Sequence, residues 1–154
     1  MKNNPLIRFV KPSDLNELTL LCQAHAKYEQ APFSTQNKKE SLEKHLFSQF
    51  PTLYCLVVEL DSKLIGYATY MKQFSTWDAK FYLYMDCLFL NEESRGLGLG
   101  EVLMNRIKEE AVKLDCNLIQ WQTPTFNLGA IKFYRRIGAE GKTKERFFWK
   151  IDTQ

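Results

Sequence analysis

Gly96, Gly98 and Gly100 stand at alternate positions behind Arg95 and run straight into Glu101-Val-Leu-Met-Asn-Arg-Ile-Lys, whose apolar residues recur at helical spacing. Glycines leave main-chain N–H groups unobstructed, and a helix starting at the same place adds unpaired first-turn amides and the positive end of its dipole. Such a turn cradles phosphate oxygens. The spacing excludes two other phosphate-binding turns. A P-loop needs Gly-Lys-Ser/Thr, but Gly100 is followed by Glu101, and a dinucleotide fingerprint starting at Gly96 needs its third glycine at that same position. Just upstream, Asp86 interrupts the apolar run Phe81 to Leu90. A carboxylate there costs on the order of several kcal/mol unless it is paired or wetted. Taken alone, Asp86 is a hydrogen-bonded structural acid, a strand end that reaches solvent, or a general base.

The pattern that fits is Arg-x-x-Gly-x-Gly, here Arg95, Gly98 and Gly100. About thirty residues on comes a second pattern, Asn127-Leu-Gly-Ala130-Ile-Lys-Phe133-Tyr134-Arg-Arg-Ile-Gly138-Ala139. The two resemble the pyrophosphate-binding turn and the Asn-x-x-Ala-x-x-Phe-Tyr-x-x-x-Gly-Ala segment of the GNAT N-acetyltransferases, which use acetyl-CoA. The resemblance covers nearly the whole chain. It implies that Arg95, Gly96, Leu97, Gly98, Leu99, Gly100 and Glu101 meet the pyrophosphate, mainly through backbone N–H groups. Leu88, Phe89 and Leu90 would hydrogen-bond the pantetheine arm with their backbone, one N–H near Leu88 polarising the thioester. Asn127, Ala130, Phe133 and Tyr134 would complete the cofactor site, with no metal.

Acetyl transfer to an amine needs a base for the ammonium, a donor for the oxyanion and an acid for the departing thiolate. By resemblance Tyr134 is that acid; a phenol of pKa ~10 can protonate a thiolate whose acid has pKa ~8.5. Without the motif, Tyr134 would read as a core tyrosine on an apolar helix face. The same resemblance favours Asp86 as the base, directly or through water. Cys87 sits in an apolar strand, where thiols are usually inert, so direct attack is favoured over a cysteine relay.

Finer features are similar to the spermidine/spermine acetyltransferase-like branch: Ala26-Lys-Tyr28-Glu29, Ser75-Thr-Trp77, Met85-Asp86 and the stretch from Trp121 to Asn127. By that analogy Tyr28, Glu29, Trp77, Asp86, Trp121 and Gln122 line an amine pocket, carboxylates and aromatic faces suiting an ammonium group. Packing accounts equally for Tyr28 and Trp77, and a solvated helix end for Glu29. Three positions depart from the branch. Cys87 replaces the second acid of the central strand, Ser75 stands where polyamine-binding members carry an acid, and Phe126 replaces a Trp. A long polycation wants several carboxylates, so shorter diamines and amino acids with a side-chain amine stay open beside polyamines.

The elements that must position these residues follow from periodicity and punctuation. Leu6 to Val10 predicts a strand. Ser13 and Asp14 start a helix reaching about Glu29, with Leu15, Leu18, Cys22 and Ala26 at helical spacing and His25, Tyr28 and Glu29 sharing its last turns. Thr35 or Asn37 caps a second helix carrying Leu42, Leu46 and Phe50, stopped by Pro51. Strands are expected at Thr52 to Leu60, Lys63 to Phe74 and Phe81 to Leu90, the last buried on both faces. A helix from about Leu99 to Leu114 buries Val102, Leu103, Ile107 and Ala111. A strand at Asn117 to Thr123, a helix at Asn127 to Ile137 ended by Gly138, and a closing strand at Arg146 to Ile151 complete the chain. Hairpins followed by a βαβα unit give an α/β fold, a mixed sheet with helices on both faces. By resemblance it has six to seven strands and four helices, with two strands splayed at the acetyl-CoA site.

At 154 residues, with 45% hydrophobic and 25% charged residues, the chain is expected to be a single domain, 1–154. A formal charge of +3, with basic residues scattered, speaks against a nucleic-acid partner. The four cysteines form no Cys-x-x-Cys pair and there are two histidines, which predicts reduced thiols, no zinc and a cytoplasmic protein. Met1 to Pro5 holds no signal-peptide core, and no apolar run is long enough for a membrane partner. The expected activity is acetylation of a small-molecule primary amine in a ternary complex. The alternatives are a protein or peptide N-acetyltransferase, with an open groove, and a non-catalytic CoA-binding module, which would need the cradle but neither Asp86 nor Tyr134. A homodimer is expected from the family.

Overall fold

The structure is a computed structural model that describes residues 3–153; Met1 and Lys2, part of the stretch read above for a leader, lie outside the described residues. It divides into two compact units, 1–122 and 123–154.

The first unit is built on a sheet of five strands in the order β1-β2-β3-β4-β5. They are β1 (Leu6–Phe9), β2 (Tyr54–Leu60), β3 (Lys63–Ser75), β4 (Lys80–Leu90) and β5 (Ile119–Gln120), with α1 (Leu15–Tyr28) and α2 (Lys38–Leu46) between β1 and β2 and α3 (Leu99–Lys113) between β4 and β5. The first four strands pair antiparallel in sequence order, and β5 joins β4 in parallel. Asp61 and Ser62 both take positive φ, 49° and 64°, the backbone of a two-residue hairpin whose twist suits the flanking strands. On one face Cys55, Val57, Tyr67 and Phe89 pack with Leu15, Leu18 and Leu21 of α1 and Leu46 of α2. The other face carries buried Leu56, Ala68, Tyr70, Leu83 and Met85, with Tyr70 turned toward Arg106 and Glu110 of α3.

Local chemistry departs from expectation in several places. Asp14 does not cap α1 with its side chain. Its carboxylate accepts from the Lys11 N–H (2.7 Å) and the Arg8 guanidinium (2.7 and 3.0 Å), tying the entry of α1 to β1. Asn37 precedes α2 in a left-handed conformation with no side-chain cap bond, and Phe50 lies beyond the helix and is exposed. Val102 is also exposed, because the buried stripe of α3 runs through Leu99, Leu103, Met104, Ile107 and Ala111. β4 is not buried on both faces: Lys80, Phe81 and Asp86 are exposed. β5 has only two paired residues, against seven expected.

The second unit contains α4 (Leu128–Arg136), with Ala130, Phe133, Tyr134 and Ile137 half-buried and Lys132, Arg135 and Arg136 exposed. Gly138 follows at φ 97°, the left-handed position that ends helices and that glycine takes without strain. The strand expected at Arg146 to Ile151 is not formed. That stretch has no ladder partner, and Phe147, Phe148, Trp149 and Ile151 are exposed. The described residues thus hold five strands rather than six to seven, and four α-helices.

Candidate active site

β4 carries the site because of one irregularity. Its register with β3 runs Thr69↔Cys87 and then Tyr70↔Met85, so Asp86 is an extra residue without a partner. A bulge of this kind re-aims side chains and is common beside active sites. Strict alternation would put Met85 and Phe89 on one face. Instead Met85 lies opposite Tyr70 on the α3 face, while Phe89 stacks on His25 of α1, with ring centroids 5.0 Å apart. Asp86 and Cys87 consequently share the α1 side, with the Cys87 Sγ 3.9 Å from the Asp86 carboxylate. The sequence leaves open whether Asp86 is buried or wetted; the bulge makes it solvent-exposed.

Past the bulge, β4 has a free edge. β5 pairs only at Leu83↔Ile119 and Tyr84↔Gln120. The Asn91 N–H donates to the Ile65 carbonyl of β3 (2.9 Å). Ladder bonds alternate along a strand, so Phe89 faces β3, and the main-chain groups of Leu88 and Leu90 point to the open side. β5 thus leaves β4 unpaired beyond Tyr84, on the side where the splay is expected. The Leu90 carbonyl accepts from Arg95 Nε (3.1 Å).

The glycine turn lies at the end of this edge. A short 3-10 turn, Glu92–Ser94, is fixed by Asn91, whose side chain accepts from the Ser94 N–H (3.1 Å). Gly96 and Gly98 then take φ 79° and 73°, and a Cβ at either would meet open space. Glycine is therefore required there by backbone conformation rather than by crowding. α3 starts at Leu99, and the first bond of its ladder is Val102 N–H to the Gly98 carbonyl, 3.3 Å. Its earlier amides have no intrahelical acceptor. Unblocked amides at the positive end of a helix fit a pyrophosphate. Arg95 leans the other way, its guanidinium 4.4 Å above the Tyr28 ring.

On the α1 side the structure brings Tyr28, Glu29, Asp86 and Phe89 to one face and adds residues that spacing alone did not single out as site residues. His25 Nδ1 is 2.7 Å from the Tyr67 hydroxyl, and Nε2 is 3.3 Å from Glu29 Oε1. Burial drives the His25 pKa below the ordinary histidine range, against the opposing charges of Glu29 and Asp86. Burial also raises the Tyr67 phenol far above its usual value. Tyr67 is 2% exposed and reads in the sequence as an ordinary strand aromatic. His25 could have been found from sharing its helix side with Tyr28 and Glu29.

Trp77 is not part of this cluster. It occupies the tip of the β3–β4 hairpin and is 99% exposed. A cavity of about 360 Å³ near that tip, lined by Ser75, Asp78, Lys80, Phe81, Tyr82, Asn117 and Leu118, includes neither Asp86 nor Glu29. Trp121 is half-buried and Gln122 exposed, just after β5. In the second unit Asn127 caps α4, its side chain accepting from the Ala130 N–H (3.4 Å), and the Phe133 and Tyr134 rings lie 5.3 Å apart. Among the described residues no cluster of three or more His, Cys, Asp or Glu could hold a metal ion. The four cysteines are free, and among the described residues no helix is long and apolar enough to cross a membrane.

Comparison with known proteins bears on the family and the fold. The chain is 26% identical over 147 residues to a thialysine N-epsilon-acetyltransferase of Bos taurus, covering 90% of this chain and 86% of that protein. It is 24% identical over 140 residues to the human spermidine/spermine N(1)-acetyltransferase-like protein 1, covering 86% of this chain but 20% of that longer protein. Among solved structures, the aminoglycoside N-acetyltransferase AAC(6')-Iy in complex with CoA superposes with a TM-score of 0.80 at 16% identity, over 96% of this chain and 95% of that one. The acetyltransferase (GNAT) family model matches residues 18–139, and the chain belongs to that family.

Proposed function

We propose that this protein transfers an acetyl group from acetyl-CoA to a primary amine of a small diamine, polyamine or amino-acid-like molecule, by direct attack in a ternary complex. The observation that carries this reading is the pairing of two features beside an exposed Asp86 that the bulge throws onto the α1 face: the β4 edge at Leu88, left unpaired by β5, and the glycine turn at the head of α3. When bound, acetyl-CoA supplies the thioester. The amides of residues 96–101 hold its pyrophosphate, and the Leu88 N–H donates to the thioester oxygen as it gains negative charge. Asp86 takes the proton of the acceptor ammonium, directly or through water, and the freed amine attacks the carbonyl carbon. The Tyr134 phenol gives its proton to the departing thiolate. Tyr28 and Glu29 bind the acceptor. Asn127, Ala130 and Phe133 serve the cofactor, supported by the match of their segment to the family motif.

The naming of relatives after thialysine and after spermidine and spermine supports a small, cationic acceptor. We read the whole chain as one acetyltransferase domain, since the family match crosses from the first unit into the second. Four free cysteines favour a cytoplasmic location, which cell fractionation checks. The test of function is thiol release from acetyl-CoA across a panel of diamines, polyamines, thialysine, ornithine, aminoglycosides and peptides. Release with small amines and not with peptides is expected; turnover confined to peptides would replace this reading with the protein-directed one.

A further inference from the structure

His25 is largely enclosed. On its own helix it faces Glu29, with Cys22 one turn back; β3 presents the Tyr67 hydroxyl; β4 presents the Phe89 ring, with Asp86 within electrostatic reach. The thiols of Cys22 and Cys87 lie against the same Tyr67 hydroxyl. Arg95 lies over the neighbouring rings, 4.4 Å from that of Tyr28 and 5.7 Å from that of Phe89. An ionised carboxylate only accepts hydrogen bonds, so the nitrogen facing Glu29 carries the proton. The other ring nitrogen of a neutral imidazole is then an acceptor, and Tyr67 donates to it. One tautomer satisfies both contacts.

The result is a directed chain, Tyr67 O–H to His25 Nδ1 and His25 Nε2–H to Glu29 Oε1. It anchors one oxygen of a carboxylate whose side chain is 31% exposed, while the imidazole that anchors it is 12% exposed. Fixing the group that orients a carboxylate is how buried imidazoles commonly serve a site. A histidine kept only for packing would not need its proton directed at a half-exposed acid on the acceptor side.

Resting on the amine-acetyltransferase reading, we propose that His25 is the positioning residue of the acceptor site: held by Tyr67, it presents Glu29 as a fixed carboxylate that binds the ammonium group of the acceptor. Nothing in this role touches the thioester, so acceptor affinity should respond and the chemical step should not. A neutral donor of similar reach, glutamine, should replace the imidazole; leucine should not.

The test uses 1,3-diaminopropane as probe. His25→Leu is expected to raise its KM about tenfold, with kcat and the KM for acetyl-CoA within about twofold of wild type, and His25→Gln to restore most of the affinity. An unchanged KM in His25→Leu, a fall in kcat alone, or a His25→Gln variant as impaired as His25→Leu would overturn the proposal. Two measurements need no turnover. Nitrogen-15 NMR of the wild-type imidazole at neutral pH should show the Nε2–H tautomer, and an Nδ1–H tautomer overturns the assignment even if His25→Leu fails to fold. Calorimetry of diaminopropane into CoA-saturated protein should give binding that His25→Leu weakens and His25→Gln preserves, and no binding to wild type overturns the proposal. Failure of the functional reading has a different signature, the absence of thiol release with every amine in the panel.

Discussion

At the scale of single residues, the site separates groups that can transfer protons from groups that cannot. Burial, reinforced by the nearby Asp86 charge, pushes the Cys87 thiol up to about 11, so at pH 7 only about one molecule in ten thousand carries the nucleophilic thiolate. Direct attack by the amine does not need it. Cys87→Ser should therefore keep kcat within about threefold of wild type. Loss of turnover with intact cofactor binding would mean that the acetyl group passes through the thiol. By contrast, Tyr134→Phe should lower kcat about a hundredfold or more without weakening CoA binding, read from thiol release beside a calorimetric titration; unchanged turnover would return Tyr134 to ordinary packing. Residue types and spacing marked Asp86 and the glycines as site candidates in the sequence, and the resemblance of its segment to the family motif marked Tyr134. They did not reveal that Asp86 sits on a bulge, because a single inserted position leaves the apolar run unchanged. Nor could they pair His25 with Tyr67, forty-two residues away and joined to it only when β3 closes on α1.

At the scale of elements, two joints decide the geometry. The first is the turn into α3, where Gly98 precedes the helix in a left-handed conformation. Gly98→Ala should cost about 1 kcal/mol, lowering the melting temperature by about 3 °C, and should weaken acetyl-CoA binding as the amides shift. A variant with unchanged melting and affinity would show that this backbone conformation is not needed. The second joint is the entry to α1, where Arg8 holds Asp14 and also meets Glu59 at 2.7 Å. The Arg8 hydrogen bond holds the Asp14 carboxyl below its usual range despite burial. Because the folded pKa lies below the unfolded value of about 3.9, the stabilisation is full above that value and is lost as pH falls through the folded one. Asp14→Asn should thus cost roughly 2 kcal/mol at pH 7 in urea unfolding, with the gap to wild type closing toward pH 2. A pH-independent gap would contradict the assignment. Element order was readable because hairpins, glycines and helical spacing are local signals. The Arg146 to Ile151 strand was over-read for the same reason: β-rich composition marks a segment able to pair, and pairing needs a neighbour.

At the scale of the molecule, that unpaired segment is also the densest run of exposed large apolar side chains, Phe147 90%, Phe148 77%, Trp149 94% and Ile151 83%. Surfaces of this kind are usually covered, in line with the homodimer expected from the family resemblance; sedimentation should then give twice the 18.1 kDa chain mass, and a monomer at micromolar concentration would remove that expectation. All the other proposals assume that main-chain amides from Leu88 to Glu101 receive a thioester-bearing nucleotide. The most direct measurement is calorimetric titration of acetyl-CoA into the purified protein. Saturable binding of one molecule per chain, weakened in Gly98→Ala, is the predicted result. Absence of heat with both acetyl-CoA and CoA at high protein concentration would contradict the account at its base.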